Sequence, residues 1–138
     1  MLHEQALTTA TANSTTGADW TASALTGTSV TYVNELGSTM KLQFGNNGVV
    51  TGTYTSKVSS GGGTISGPVA GWYQGLMIGW SVMWPTNPPA LTVWVGEFIV
   101  PSYKIETLWY MGTQTATPGA PDQFWTAINA GADTFTPL

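Results

Sequence analysis

The sequence predicts an all-β protein, a barrel or a sandwich of about eight strands, and three observations carry that prediction; an eight-stranded antiparallel up-and-down β-barrel is the form that the motifs quoted below imply. From Ser29 onward the chain breaks into short runs of β-branched and aromatic residues punctuated by Gly, Pro and Asn. No long 3.6-residue apolar period competes with these runs. The 138 residues suit one domain with one buried core, and about eight strands is the number at which a closed barrel has room for one small ligand.

The elements follow in order. Residues 1–28 are rich in Thr, Ala and Ser, with only Trp20 and Leu25 offering much to bury, and are expected to form a flexible or loosely docked tail ahead of a barrel domain at 29–138. The opening MLHEQALTTATANSTTGAD has no basic flank and no apolar segment, so it does not read as an intact signal peptide. SVTYVN and STMKLQF give the first two strands. Gly45-Asn46-Asn47-Gly48 contains Asn-Gly, which tolerates the positive φ of a tight hairpin, and VVTGTYTS returns antiparallel.

Lys57 to Gly63, with Ser59-Ser60 and three consecutive glycines, reads as a mobile surface loop, followed by a short strand around Thr64 to Gly71. In LMIGWSVMW, residues Leu76, Ile78, Trp80, Val82 and Trp84 share one parity and hence one face. Pro85-Thr86-Asn87-Pro88-Pro89 ends that strand, because proline cannot donate to a central ladder. ALTVWVGEFIV resumes, and two further strands are expected around Ile105 to Thr113 and Thr126 to Phe135.

Composition excludes several functions. Three lysines, no arginine and a formal net charge of -4 leave almost no counter-charge for a phosphate backbone, so no nucleic-acid partner is expected. No apolar run reaches the ~18 residues of a membrane span, so the protein is expected to be soluble, with no membrane partner. Without cysteine there is neither a disulfide framework nor a thiolate site. Charged residues make up 7% of the chain, against roughly 25% in an ordinary domain. The polar surface therefore falls to Thr, Ser, Gly and Asn, a pattern common in extracellular β-proteins.

Catalytic groups are scarce. The single histidine, His3, lies in the tail, so a Ser-His-Asp arrangement is not expected. Glu97, Glu106 and Asp133 offer a carboxylate pair of the glycosidase type only in principle, since parity sets Glu97 opposite to Trp94 and outward. No His, Cys, Asp or Glu cluster has metal-ligand spacing, so neither a metal nor a cofactor is expected.

Tryptophan is the conspicuous residue, with seven at positions 20, 72, 80, 84, 94, 109 and 125. Trp80 fits an ordinary core aromatic. Trp84, Trp94 and Trp109 sit on separate strands at positions whose parity can be inward, which suits a ligand cavity walled by rings.

At YVNELGST, residues 32–39, the sequence resembles the first-hairpin motif of the avidin and streptavidin family. Matching pieces recur in the same order at GVVTGTYTS (48–56), GWSVMW (79–84) and DTFT (133–136). The resemblance implies a secreted, non-catalytic protein that binds biotin tightly inside the barrel as a homo-oligomer, a tetramer or dimer, and suggests sequestration of the vitamin. It further implies that Asn34, Ser38 and Tyr54 donate to the ureido oxygen and that Ser56 and Asp133 accept the two ureido N–H groups. Thr92 would contact the thioether sulfur, and Trp84, Trp94 and Trp109 would wall the bicycle and the aliphatic chain. Trp125, eight residues before Asp133, matches the family tryptophan that covers a neighbouring subunit's ligand. The 57–63 loop corresponds to the family's lid, offering a backbone N–H and Ser59 to the ligand carboxylate.

Ala90 departs from the family's serine contact to that carboxylate, and WVGEF at 94–98 replaces the usual Trp-Ser-Gly. Other readings stay open on the residues alone. Asn34 and Ser38 also fit a turn, and Asp133 a strand end. A carbohydrate-binding module or lectin would use exposed tryptophans, and a lipocalin-like carrier would satisfy the strand count.

Overall fold

The computed structural model describes residues 2–12, 20–57, 62–114 and 127–138. Its eight strands are β1 (Ser29–Val33), β2 (Thr39–Phe44), β3 (Val49–Ser56), β4 (Ile65–Gln74), β5 (Met77–Trp84), β6 (Ala90–Ile99), β7 (Lys104–Thr113) and β8 (Ile128–Pro137). Each pairs antiparallel with the next and β8 returns to β1, closing the barrel. Closure removes the free edges that an open sheet of this length would leave.

Alternation does what the sequence led us to expect. Along β6 every residue from Ala90 to Ile99 switches between buried and exposed. Ile78, Trp80 and Val82 of β5 are buried. Glu97 points outward, as its parity requires, and faces Glu106 across the β6–β7 ladder. Gly48 carries the positive φ of the β2–β3 turn, at +76°.

β4 is longer than expected, running through Gly71 to Gln74 instead of stopping near Gly71. Gly71 marks a close approach, not an end. A Cβ there would lie 2.6 Å from the Cα of Trp80, so only glycine lets β5 cross so near.

Two parts of the segment before Ser29 are described. His3–Ala12 forms a helix, α1, begun by Leu2 N–H donating to Gln5 Oε1, and its side chains from His3 to Ala10, the lone histidine included, are exposed. Residues 22–28 are docked on the barrel. Ala22 N–H donates to the Gly75 carbonyl at 2.8 Å, and Gly27 N–H to that of Phe44 at 2.7 Å. Ala22 and Leu25 are buried there with Phe44, Tyr73, Phe98 and Tyr103 packed in the same cluster. These groups plug one end of the barrel, each large apolar side chain contributing about 1.5–3 kcal/mol by its burial.

Candidate ligand-binding site

In an up-and-down barrel the strands alternate in direction, so the C-terminal ends of β1, β3, β5 and β7 lie opposite the plug. Here the barrel is hollow, with a cavity of about 320 Å³, a size typical of small-molecule sites.

Asn34 stands where β1 gives way to the turn. Its Oδ1 accepts from Leu36 N–H at 3.1 Å and from Ser38 N–H at 2.9 Å, an arrangement that shapes the turn. With its oxygen held by the backbone, Nδ2 faces inward and donates to the Tyr54 hydroxyl at 3.2 Å. Turn-shaping and cavity-facing roles are thus opposite ends of one amide. Ser38, buried, accepts the Lys57 N–H through Oγ at 3.0 Å, leaving its hydroxyl proton to point elsewhere.

Tyr54 projects from β3 into the same space, stacked on Trp94 with ring centroids 5.0 Å apart and edge-on to Trp84 at 5.6 Å. Burial holds its hydroxyl far above the ordinary phenol range, with the Asp133 charge adding, the Ser38 hydrogen bond opposing and the Glu35 charge adding further. Tyr54 is therefore a permanent donor. Asn34, Ser38 and Tyr54 together present amide and hydroxyl protons to one corner of the cavity.

An acceptor lies on the other side. Asp133 reaches in from β8, and its Oδ2 accepts from the Trp94 indole Nε1 at 3.0 Å. The Thr107 hydroxyl holds its backbone by donating to the Asp133 carbonyl at 2.8 Å. Burial raises the Asp133 carboxyl above its ordinary range, the Trp94 hydrogen bond works against this, and the nearby Glu35 charge adds to it. Ser56, at the end of β3, lines the cavity as well.

Aromatic rings form the walls. Trp84 donates through Nε1 to Thr92 Oγ1 at 2.8 Å, which fixes the indole and leaves the Thr92 proton available to a weak acceptor. Trp94 lies between Tyr54 and Trp80, 5.6 Å from the latter, and Trp80 itself is buried in the core. Trp109 faces inward from β7 opposite Gly131, whose missing side chain leaves space for the indole. A Cβ there would lie 2.5 Å from Trp109 Cζ2.

The structure thus brings Asn34, Ser38, Tyr54, Ser56, Trp84, Thr92, Trp94, Trp109 and Asp133 around one cavity. Trp125 and Ser59 lie outside the described residues. Sequence reasoning missed Leu36 and Met111, which also line the cavity. Met111 shares the inward parity of Trp109 and was there to be found, whereas Leu36 lies in a turn, where parity says nothing. The carboxylate-pair reading fails, because Glu97 and Glu106 are on the outer face and only Asp133 is inside. Among the described residues no three His, Cys, Asp or Glu side chains gather as a metal site would need.

The model of the avidin family matches residues 21–138. The chain belongs to the avidin family. The match begins just before Ala22, where the plug docks. Solved avidin-family structures agree with the fold. Rhizavidin is 25% identical, over 86% of this chain and 87% of that one, with a TM-score of 0.70. Short afifavidin, solved as a biotin complex, is 31% identical, over 80% and 88% of the two chains, with a TM-score of 0.66. Core-bradavidin is 31% identical, over 80% and 99%, with a TM-score of 0.65.

Proposed function

We propose that the hollow end of this avidin-family barrel binds biotin and releases it unchanged. The observation that carries the proposal is the set of three donors, Asn34 Nδ2, Ser38 and Tyr54, facing the acceptor Asp133 across one aromatic-walled cavity. A cyclic urea has a strong acceptor oxygen flanked by two N–H donors, and burying any of the three unpaired costs about 1–3 kcal/mol. Biotin complexes of afifavidin and rhizavidin support the same ligand. As an avidin-family member the protein is a binding protein and not an enzyme, with biotin as its ligand and not a cofactor.

In this reading Asn34, Ser38 and Tyr54 donate to the ureido oxygen, converging as the donors of an oxyanion hole do. Ser56 and Asp133 accept its N–H groups, Thr92 donates to the thioether sulfur, and Trp84, Trp94 and Trp109 enclose the rings. The carbohydrate reading, by contrast, needs an exposed aromatic platform, and is set aside because these three indoles face the barrel interior.

The protein is further proposed to be a homo-oligomer. Met83, Leu91, Val93, Val95, Leu108 and Tyr110 lie exposed on the outer face of β5, β6 and β7. The register pairs Met83 with Leu91, Val93 with Tyr110 and Val95 with Leu108, which makes the patch continuous. Beside it, a depression of about 480 Å³ runs between Trp72 and Val95. A second copy would remove this surface from water, and Trp125 would then close a neighbour's site; sedimentation velocity at micromolar concentration should show no monomer. Secretion, and with it sequestration of the vitamin, fits the low charge and the Thr- and Ser-rich surface, and fractionation of the producing cells tests it.

The deciding experiment is isothermal titration with biotin and with an analogue whose ureido oxygen is an imine nitrogen. Stoichiometric, exothermic biotin binding and a weaker analogue are expected. Absence of heat with biotin overturns the proposal.

A further inference from the structure

Around the barrel, the β1–β8 seam is the weak one. β7 and β8 share a continuous ladder from Ile105↔Phe135 to Gly112↔Ile128, whereas β1 and β8 pair only at Tyr32↔Pro137 and Val33↔Thr136. Beyond Val33 the chain turns away at Asn34, whose Oδ1 is committed to the backbone of its own turn. The stretch of β8 that carries Asp133 therefore has no β1 backbone beside it.

Glu35 meets that stretch instead. Its Oε1 accepts the Thr134 N–H at 2.6 Å, a short, charge-assisted bond across the seam. Behind it lies a hollow of about 350 Å³, bounded by Val33, Lys104 and Thr136 among others. The link at this level is thus a hydrogen bond beside a hollow, not apolar packing. Glu35 sits between Asn34 and Leu36, and Thr134 follows Asp133, so one bond ties the donor turn to the acceptor strand.

We propose that Glu35 is a positioning residue for ligand recognition, its carboxylate replacing the missing β1 acceptor at Thr134 and so fixing Asp133 relative to Asn34 and Ser38. The proposal rests on the biotin reading above. Glu35 touches no ligand in this role; it sets the spacing between the groups that do. Its charge also bears on Asp133, which is faced by Tyr54 from β3 and Trp94 from β6, while Lys104 of β7 lines the hollow beside Glu35.

The test compares Glu35→Gln, which keeps an acceptor oxygen and removes the charge, with Glu35→Ala, which removes both. Two quantities are read: the Thr134 amide exchange rate in the ligand-free protein by NMR, and the rate of biotin dissociation in a chase with unlabelled ligand. Glu35→Ala should speed Thr134 exchange and raise the dissociation rate about five- to tenfold, the scale of one ordinary hydrogen bond, because this one is exposed to solvent and its charge is screened. At neutral pH Glu35→Gln should stay within about twofold of the wild type in both. It should also move the acid loss of binding to lower pH, since a negative charge near Asp133 is gone. Unchanged Thr134 exchange in Glu35→Ala, or equal damage from both variants, overturns the positioning role. Failure of the wild type to bind biotin overturns the functional reading alone, because Thr134 exchange still reports on the clip.

Discussion

Replacing Asp133 with Asn alters the site while barely altering its shape. In the structure one carboxylate oxygen accepts the Trp94 indole N–H at 3.0 Å, which leaves the other for a ligand N–H. An amide has a single oxygen. If that oxygen serves Trp94, the –NH₂ group confronts the ligand N–H; if it is flipped to the ligand, the indole N–H loses its partner. Either way a charge-assisted bond of about 1.5–3 kcal/mol is lost and a buried donor is left unpaired at about 1–3 kcal/mol. Against this, a neutral side chain is easier to bury beneath the ligand. A net loss of about 2–4 kcal/mol follows, or roughly 30- to 700-fold in Kd. The ligand-free protein should respond in the opposite sense. The folded-state Asp133 carboxyl lies above its ordinary value of 3.8, so its protonated form favours folding. That contribution is complete below the unfolded value and is lost as pH rises through the folded one, leaving the ionised carboxylate a burden at neutral pH. Asp133→Asn should therefore bind biotin weakly by isothermal titration yet resist urea at pH 7 at least as well as the wild type. A change in Kd below threefold would refute the assignment of Asp133 as the ureido acceptor.

Biotin affinity should be level near neutrality and begin to fall on acidification at a pH above 3.8, because Asp133 takes up its proton early; competition binding at equilibrium across pH checks this. Gly131→Ala should push the Trp109 ring into the cavity, since the new Cβ would lie 2.5 Å from Cζ2 and 2.7 Å from Cε2. Overpacking of this kind costs about 1–3 kcal/mol, so roughly tenfold weaker binding with altered tryptophan fluorescence is expected. Ala90→Ser places a hydroxyl on β6 opposite Trp84. It should slow biotin release about two- to tenfold if the ligand carboxylate reaches that rim, as one added hydrogen bond would, and an unchanged rate would place the carboxylate elsewhere.

Most of the barrel was legible because strand alternation is a local signal. Parity allowed an inward face to Trp84, Trp94 and Trp109, put Thr92 on the face of Trp94, and set Glu97 on the opposite one, before any strand was paired. What escaped depends on partners remote in sequence. Nothing around Gly71 reveals that β5 crosses against it, so the residue reads as a strand end. Ala22 is too small to advertise burial, and it is held in the core cluster where the β4–β5 turn offers the Gly75 carbonyl to its N–H. Glu35 looks like one more surface carboxylate until Thr134, 99 residues away, is brought beside it. The polar site is a mixed case. The motif around Asn34 was visible, but the residues alone did not separate a turn-former from a cavity donor, and the geometry makes it both.

The β6 strand puts Trp94 inside between Val93 and Val95 outside, and its neighbours repeat the pattern, with Trp80 and Trp109 pairing with Trp94 across the ladders. Successive residues of a strand share one rigid backbone, so the tryptophan wall and the outer apolar face are two sides of a single sheet about one side chain thick. A change that shifts β6 to suit its outer face also moves the rings within. Surface variants of these three strands, even those chosen only to improve solubility, therefore belong in the same experiment as measurements of ligand release.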